Sequence, residues 1–158
     1  MPSHKASEPV LPGHLEHGNM MNLLGYHLAQ ASIPTDHAFK KHISETYKLN
    51  KLEFTILMLL QANPQLTSKR MTVALNIAAP NLTLILDRLE NRQLLTRVRS
   101  EEDRRVQHVC LTPAGAALNK KLVKICATME DNIWKHVTVA EQQILLELLR
   151  KVAQHRKI

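Results

Sequence analysis

The sequence predicts a mainly α-helical protein with one small β-hairpin: a winged helix-turn-helix domain plus a helical dimerisation domain. Three observations carry this. Apolar residues recur three and four positions apart in segment after segment, each opened by a residue suited to capping a helix. Between Arg97 and Leu111 the pattern switches to two short alternating segments around a knot of charge. Beyond the hairpin come two further apolar stripes that a small winged domain cannot bury alone.

The elements follow in order. Met20, Leu23, Leu24, His27 and Leu28 share one helical face, so a helix is expected from Asn19 to about Ala31, stopped by Pro34. A second starts near Asp36 and runs past Tyr47. Asn50 followed by Glu53 makes a capping pair for a helix from Lys51 to Ala62, which Asn63-Pro64 ends. Thr67 caps a short helix ending at Leu75, and Asn76 suits the left-handed turn after it.

Pro80 belongs in the first turn of the next helix, where its missing N–H costs nothing. Leu82, Ile85, Leu86 and Leu89 then fall on one face, so Thr83, Leu84, Asp87 and Arg88 point away from it, with Asn81 at its edge. A short helix, a tight turn and a second amphipathic helix make a helix-turn-helix, and the hairpin that follows is its wing. Past the hairpin, Thr112 and Pro113 open a long helix expected to reach about Val137, with Leu118, Leu122, Ile125, Met129 and Ile133 spaced three or four apart. Thr138 and Glu141 form another capping box before a last helix bearing Ile144, Leu145, Leu148, Leu149 and Val152. Such stripes need a partner, most economically a second copy of the chain. The expected organisation is a flexible segment over 1–18, a DNA-binding domain over 50–112, and a dimerisation region from 19–49 and 113–158.

Composition narrows the class of partner. The net charge is +7, with 44% apolar and 22% charged residues. The first 65 residues are charge-balanced, whereas Leu66–Thr112 holds Lys69, Arg70, Arg88, Arg92, Arg97, Arg99, Arg104 and Arg105 against five acidic residues. Arginine forks onto phosphate and guanine, so this clustering points to nucleic acid. No apolar run is long enough to span a bilayer and the N-terminus has no apolar block of the signal-peptide kind, so a cytoplasmic location without membrane association is expected.

Taken together, the run "LDRLENRQLLTRVRSEEDRRVQHVCLTPAG" resembles the MarR (multiple-antibiotic-resistance regulator) family of winged helix-turn-helix repressors. The residues that carry the resemblance are Arg88-Leu89-Glu90, Arg97 and Arg99, Asp103-Arg104-Arg105, Leu111-Thr112 and Gly115. The resemblance implies a homodimer binding pseudo-palindromic double-stranded operator DNA and released by a small-molecule effector. It implies a wing that reaches the minor groove through an arginine, with Asp103 orienting Arg105. Expected DNA contacts are Asn81, Thr83, Leu84, Arg88, Arg97, Arg99, Arg104 and Arg105. Leu84 stands where the family is often polar or basic; it either meets thymine methyl groups or is a surface leucine. Ala78 stands where a serine or threonine cap is common, and Gln93 where glycine is usual, so both ends of the recognition helix are under-capped.

The family's ligand cleft would draw on Tyr26, His27 and His42, and imidazole and cationic groups around an apolar cleft suit an aromatic acid or phenol. The other readings are ordinary helix packing for these three, a cysteine-redox response through Cys110 or Cys126, a metal response through the histidines, and a winged-helix protein-interaction module. His37 and His42 are five apart and do not share a helical face, and there is no Cys/His cluster of the zinc-finger kind, so no metal or other cofactor is expected. No nucleophile elbow, phosphate loop or dinucleotide fingerprint is present, so no enzyme is expected.

Overall fold

In the computed structural model, residues 15–101 and 106–155 are described. The chain divides between Pro34 and Thr35 into two units. In the first, a 3₁₀ turn spans Gly18–Asn22 and helix α1 (Leu24–Phe39) begins. The Tyr26 hydroxyl lies 2.6 Å from His17 Nδ1, and His27 Nε2 donates to the Met21 carbonyl at 2.8 Å. These bonds fold the 3₁₀ turn against the start of α1.

Pro34 does not stop the helix, as the sequence suggested, but lies inside α1. Proline removes one N–H bond and crowds one carbonyl, a cost of about 3 kcal/mol that a long helix can carry without ending. The helical path continues through a π turn at Lys40–Ser44, closed by the Glu45 N–H to Lys40 carbonyl bond, into α2 (Glu45–Tyr47). It ends where Lys48 turns left-handed at φ 52°.

The second unit holds the core. Helix α3 (Lys51–Ala62) has the reciprocal capping box expected of Asn50 and Glu53. Strand β1 (Leu66–Thr67) leads into α4 (Ser68–Leu75), capped by Thr67 and closed by left-handed Asn76. Helix α5 (Ala79–Asn91) buries Leu82, Ile85, Leu86 and Leu89, the four residues its periodicity selects, each worth roughly 1.5–3 kcal/mol. Strands β2 (Leu95–Arg99) and β3 (Gln107–Leu111) form the wing hairpin. The sequence pattern missed β1, whose two residues are too few to show a period. It pairs antiparallel with β3, Leu66 opposite Val109, so the described sheet has three strands in the order β1-β3-β2.

Helix α6 (Pro113–Cys126) starts on the Thr112 cap, and the helix expected to run on to Val137 breaks after it. Thr128 and Asp131 take up i→i+3 bonds, and a short helix α7 (Asp131–Trp134) follows. Glu130 and Asp131 explain the break: carboxylates oppose the negative end of one helix and favour the positive end of the next. Helix α8 (Val139–Gln154) opens on the Thr138–Glu141 capping box. Among the described residues no helix is long and apolar enough to cross a membrane.

Candidate nucleic-acid interface

The outward face of α5 is built by subtraction. Its four buried apolar residues hold one side against the core, and Asn81, Thr83, Leu84 and Arg88 are left exposed on the other. Leu84 is 63% exposed, the largest apolar surface on that face. Thr83 Oγ1 donates to the Ala79 carbonyl at 3.0 Å, which keeps its hydroxyl against its own helix. Arg88 Nε stands 3.7 Å from buried Glu53, whose other carboxylate oxygen accepts from the Asn50 N–H, and the arginine side chain remains 57% exposed. The start of α5 is under-capped as expected, because Ala78 makes no side-chain cap bond, but its end is not: Gln93, left-handed at φ 57°, donates its N–H to the Glu90 carbonyl at 2.8 Å, and the Leu94 N–H reaches the Leu89 carbonyl at 3.0 Å.

The sheet parts the two wing arginines that the sequence treated alike. Leu95, Arg97 and Arg99 share one face of β2, and Leu95 is 1% exposed, so that face turns toward the core and α5. Arg97 is held there. Its Nη2 donates to Asp87 Oδ1 at 2.6 Å, its Nη1 to Glu90 Oε2 at 3.1 Å, and its backbone N–H to Glu90 Oε1 at 3.2 Å. This clamp offsets part of the negative charge of two carboxylates on α5. Arg99, at the end of the strand, is exposed. Asp103, Arg104 and Arg105 lie outside the described residues.

The hairpin and α5 are tied to α6 by a tight junction. Thr112 Oγ1 donates to the Gln93 carbonyl at 2.5 Å and accepts from the Gly115 N–H at 3.0 Å. Asn119, fully buried, donates from Nδ2 to the Leu57 carbonyl at 2.5 Å and so joins α6 to α3.

The described part of this arrangement has known counterparts. The MarR family model matches residues 49–106. The organic hydroperoxide resistance transcriptional regulator of Bacillus subtilis (strain 168) is 38% identical over 100 residues, covering 59% of this chain and 68% of the relative. The transcriptional repressor CouR, solved bound to a 23-mer DNA duplex, superposes with a TM-score of 0.80 at 33% identity, covering 88% of this chain and 98% of CouR. The chain belongs to the MarR family. It is a transcriptional regulator of the winged helix-turn-helix type, and family and relatives alike are regulators rather than enzymes. Two further MarR-fold structures concern ligands: CouR bound to p-coumaroyl-CoA (TM-score 0.77, 30% identity, 90% of this chain and 99% of that one) and BpsR of Bordetella bronchiseptica, whose DNA binding is regulated by 6-hydroxynicotinic acid (TM-score 0.76, 25% identity, 85% and 95%).

Of the MarR-type ligand residues expected from the sequence, Tyr26 and His27 lie in the first unit and His42 in the second, each unit described by itself. Tyr26 and His27 already share polar contacts with His17 and Met21, and His42 is half-buried on the π turn. Burial pushes the Cys126 thiol up, which disfavours the reactive thiolate. Cys110 Sγ donates to the Pro64 carbonyl at 3.3 Å, beside the start of β1. Sequence reasoning missed two partnerships outright: Arg97 with Asp87, and Arg92 with the turn at Tyr47–Lys48. The parity of Leu95 and Arg97 was a signal for the first.

Proposed function

We propose that this MarR-family regulator is a dimeric, ligand-responsive repressor that reads pseudo-palindromic operator DNA with α5. The observation that carries this is the outward face of α5, where Asn81, Thr83, Leu84 and Arg88 stand exposed while Arg97 masks the acidic groups beside them. Side chains of this kind suit base edges: asparagine for adenine, arginine for guanine, and threonine or leucine methyls for thymine. CouR, which shares the fold over nearly its whole length, is a repressor solved on a DNA duplex.

In this reading residues 50–112 form the reading head, and Arg99, Arg104 and Arg105 serve phosphate and minor groove, with Asp103 orienting Arg105. Arg97 acts inside the head, holding β2 to α5. Residues 19–49 and 113–158 form the dimer. Support comes from α8, none of whose residues is buried within one chain, with Ile144 56% and Leu148 52% exposed. A helix so apolar on one side is stable in water only when another surface covers it. Two reading helices about 34 Å apart would then meet successive major grooves.

The effector is a small aromatic acid, phenol or related compound. Support comes from BpsR, whose DNA binding is regulated by the aromatic acid 6-hydroxynicotinic acid, and from CouR, solved with p-coumaroyl-CoA, a coenzyme A thioester that carries a phenol. Such a ligand releases DNA only if it prefers the mismatched dimer by a few kcal/mol.

The test is a mobility-shift titration against DNA flanking the chain's own gene at two salt concentrations, with light scattering for mass and a panel of aromatic acids as competitors. The proposal expects a dimer, specific binding with a steep salt slope, and release by at least one aromatic compound. A monomer indifferent to duplex DNA would sink it, and a DNA-binding dimer unmoved by every aromatic compound would sink the effector assignment alone.

A further inference from the structure

Two non-glycine residues with left-handed backbone, Lys48 at φ 52° and Gln93 at φ 57°, end α2 and follow α5 respectively. One side chain joins these turns. Arg92, the C-cap residue of α5, donates from Nη1 to the Lys48 carbonyl at 2.9 Å and from Nη2 to the Tyr47 carbonyl at 2.7 Å. The bonds span 44 and 45 residues of sequence.

The chemistry of the turn explains why an arginine sits there. Lys48 breaks the helical path, and Asn50 begins a new capping box, so Tyr47 and Lys48 carbonyls lose the donors that a continuing helix would bring. A cation is favoured at this end of a helix, and a planar fork can serve two adjacent carbonyls where an ammonium serves them less directionally. The rest of α5 is held through the buried Leu82, Ile85, Leu86 and Leu89 and by the Arg97 clamp to β2, and neither ties it to the turn before α3. Apolar burial fixes how deep a helix sits but is non-directional, whereas hydrogen bonds have preferred angles.

We propose that Arg92 is a positioning residue for DNA recognition: its fork fastens the C-terminal end of α5 to the Tyr47–Lys48 turn and so fixes the direction in which α5 presents its outward face. This rests on the reading of α5 as the DNA-facing helix. It separates Arg92 from Arg99, Arg104 and Arg105, whose proposed partners are phosphate and the minor groove. It also joins the reading head to the helical path before α3 through a contact that any rearrangement of that turn must break.

The experiment uses the full-length protein, a duplex that the wild type selects from a random-sequence library, and an unselected duplex of the same length. Affinity is measured over a salt series for wild type, Arg92→Gln and Arg92→Lys, with circular dichroism to check folding. A positioning role predicts that both variants lose about tenfold on the selected duplex, the size expected from one or two directional hydrogen bonds. It also predicts an unchanged salt slope and unchanged binding to the unselected duplex. A phosphate-contact role would show instead as Arg92→Lys retaining wild-type affinity and Arg92→Gln lowering the slope by about one, and either result overturns the proposal. Wild-type affinity in a folded Arg92→Gln protein overturns it too. If Arg92→Gln does not fold, Arg92→Lys decides, because it keeps the charge and loses the fork. A wild type that selects no duplex removes the DNA-facing reading of α5 itself, and this proposal with it.

Discussion

A Cβ placed on Gly115 would stand 1.8 Å from the Leu94 carbonyl oxygen and 2.9 Å from the Leu94 carbonyl carbon. The same Leu94 oxygen accepts the Thr112 N–H at 3.2 Å, so the first turn of α6 is pressed against the strand entry at backbone level. No side chain can swing aside to make room. Gly115→Ala therefore forces α6 away from β2 and should lower stability by about 3 kcal/mol, the upper range for overpacking. Urea unfolding at neutral pH measures this, and a loss below about 1 kcal/mol would mean the junction is softer than its geometry implies.

The ends of α5 offer the opposite experiment. Gln93 holds a conformation that glycine adopts freely, and Ala78 has extended backbone at the cap position but no oxygen to offer. Gln93→Gly and Ala78→Ser should each raise stability by about 0.5–1 kcal/mol. The two sites are separated by the length of α5, about 20 Å at 1.5 Å per residue, so the gains should add. A double variant no more stable than the better single one would show the ends are coupled.

How far the sequence reached follows from which interactions are local. Capping is local, so Asn50–Glu53, Thr67, Thr112 and Thr138–Glu141 were all legible, as was the buried stripe of α5. Pro34 misled because its cost is finite and a long helix carries it. The break after Cys126 was readable in Glu130 and Asp131, but the apolar spacing through Met129 and Ile133 masked it. Arg92 on Tyr47 and Lys48, and Gly115 against Leu94, are contacts between distant segments with no spacing rule to announce them. The candidate site was legible as a face of α5 and a basic hairpin; Arg97 and Arg99 share one strand face, and which of them is held depended on where Asp87 and Glu90 of α5 meet β2.

That difference in partners sets a prediction for the two strand arginines. Arg97 is 23% exposed in its side chain and bonded to two carboxylates, whereas Arg99 is exposed. Removing Arg97 leaves Asp87 and Glu90 close together without their cation. Arg97→Ala should cost about 1–2 kcal/mol of stability, while Arg99→Ala stays within about 0.5 kcal/mol, after allowing for solvent screening of the half-exposed carboxylates. Thermal unfolding of both variants decides it, and equal effects would remove the inward clamp.

The last prediction concerns acid. Hydrogen bonds from the Thr138 hydroxyl and backbone N–H to Glu141 hold its carboxyl below the usual glutamate range. A group whose folded value is depressed stabilises the folded state above its unfolded value, and that contribution disappears as pH falls through the folded one. The cap of α8 should therefore be intact at neutral pH and loosen as pH drops through and below the ordinary glutamate range. Glu141→Gln lacks the charge that favours the helix N-terminus and titrates nowhere in this window. The variant should be less stable than wild type at neutral pH, with the difference shrinking toward acid. Midpoints of thermal unfolding across that range measure it, and a constant or widening gap would show that the α8 cap does not work through its carboxylate.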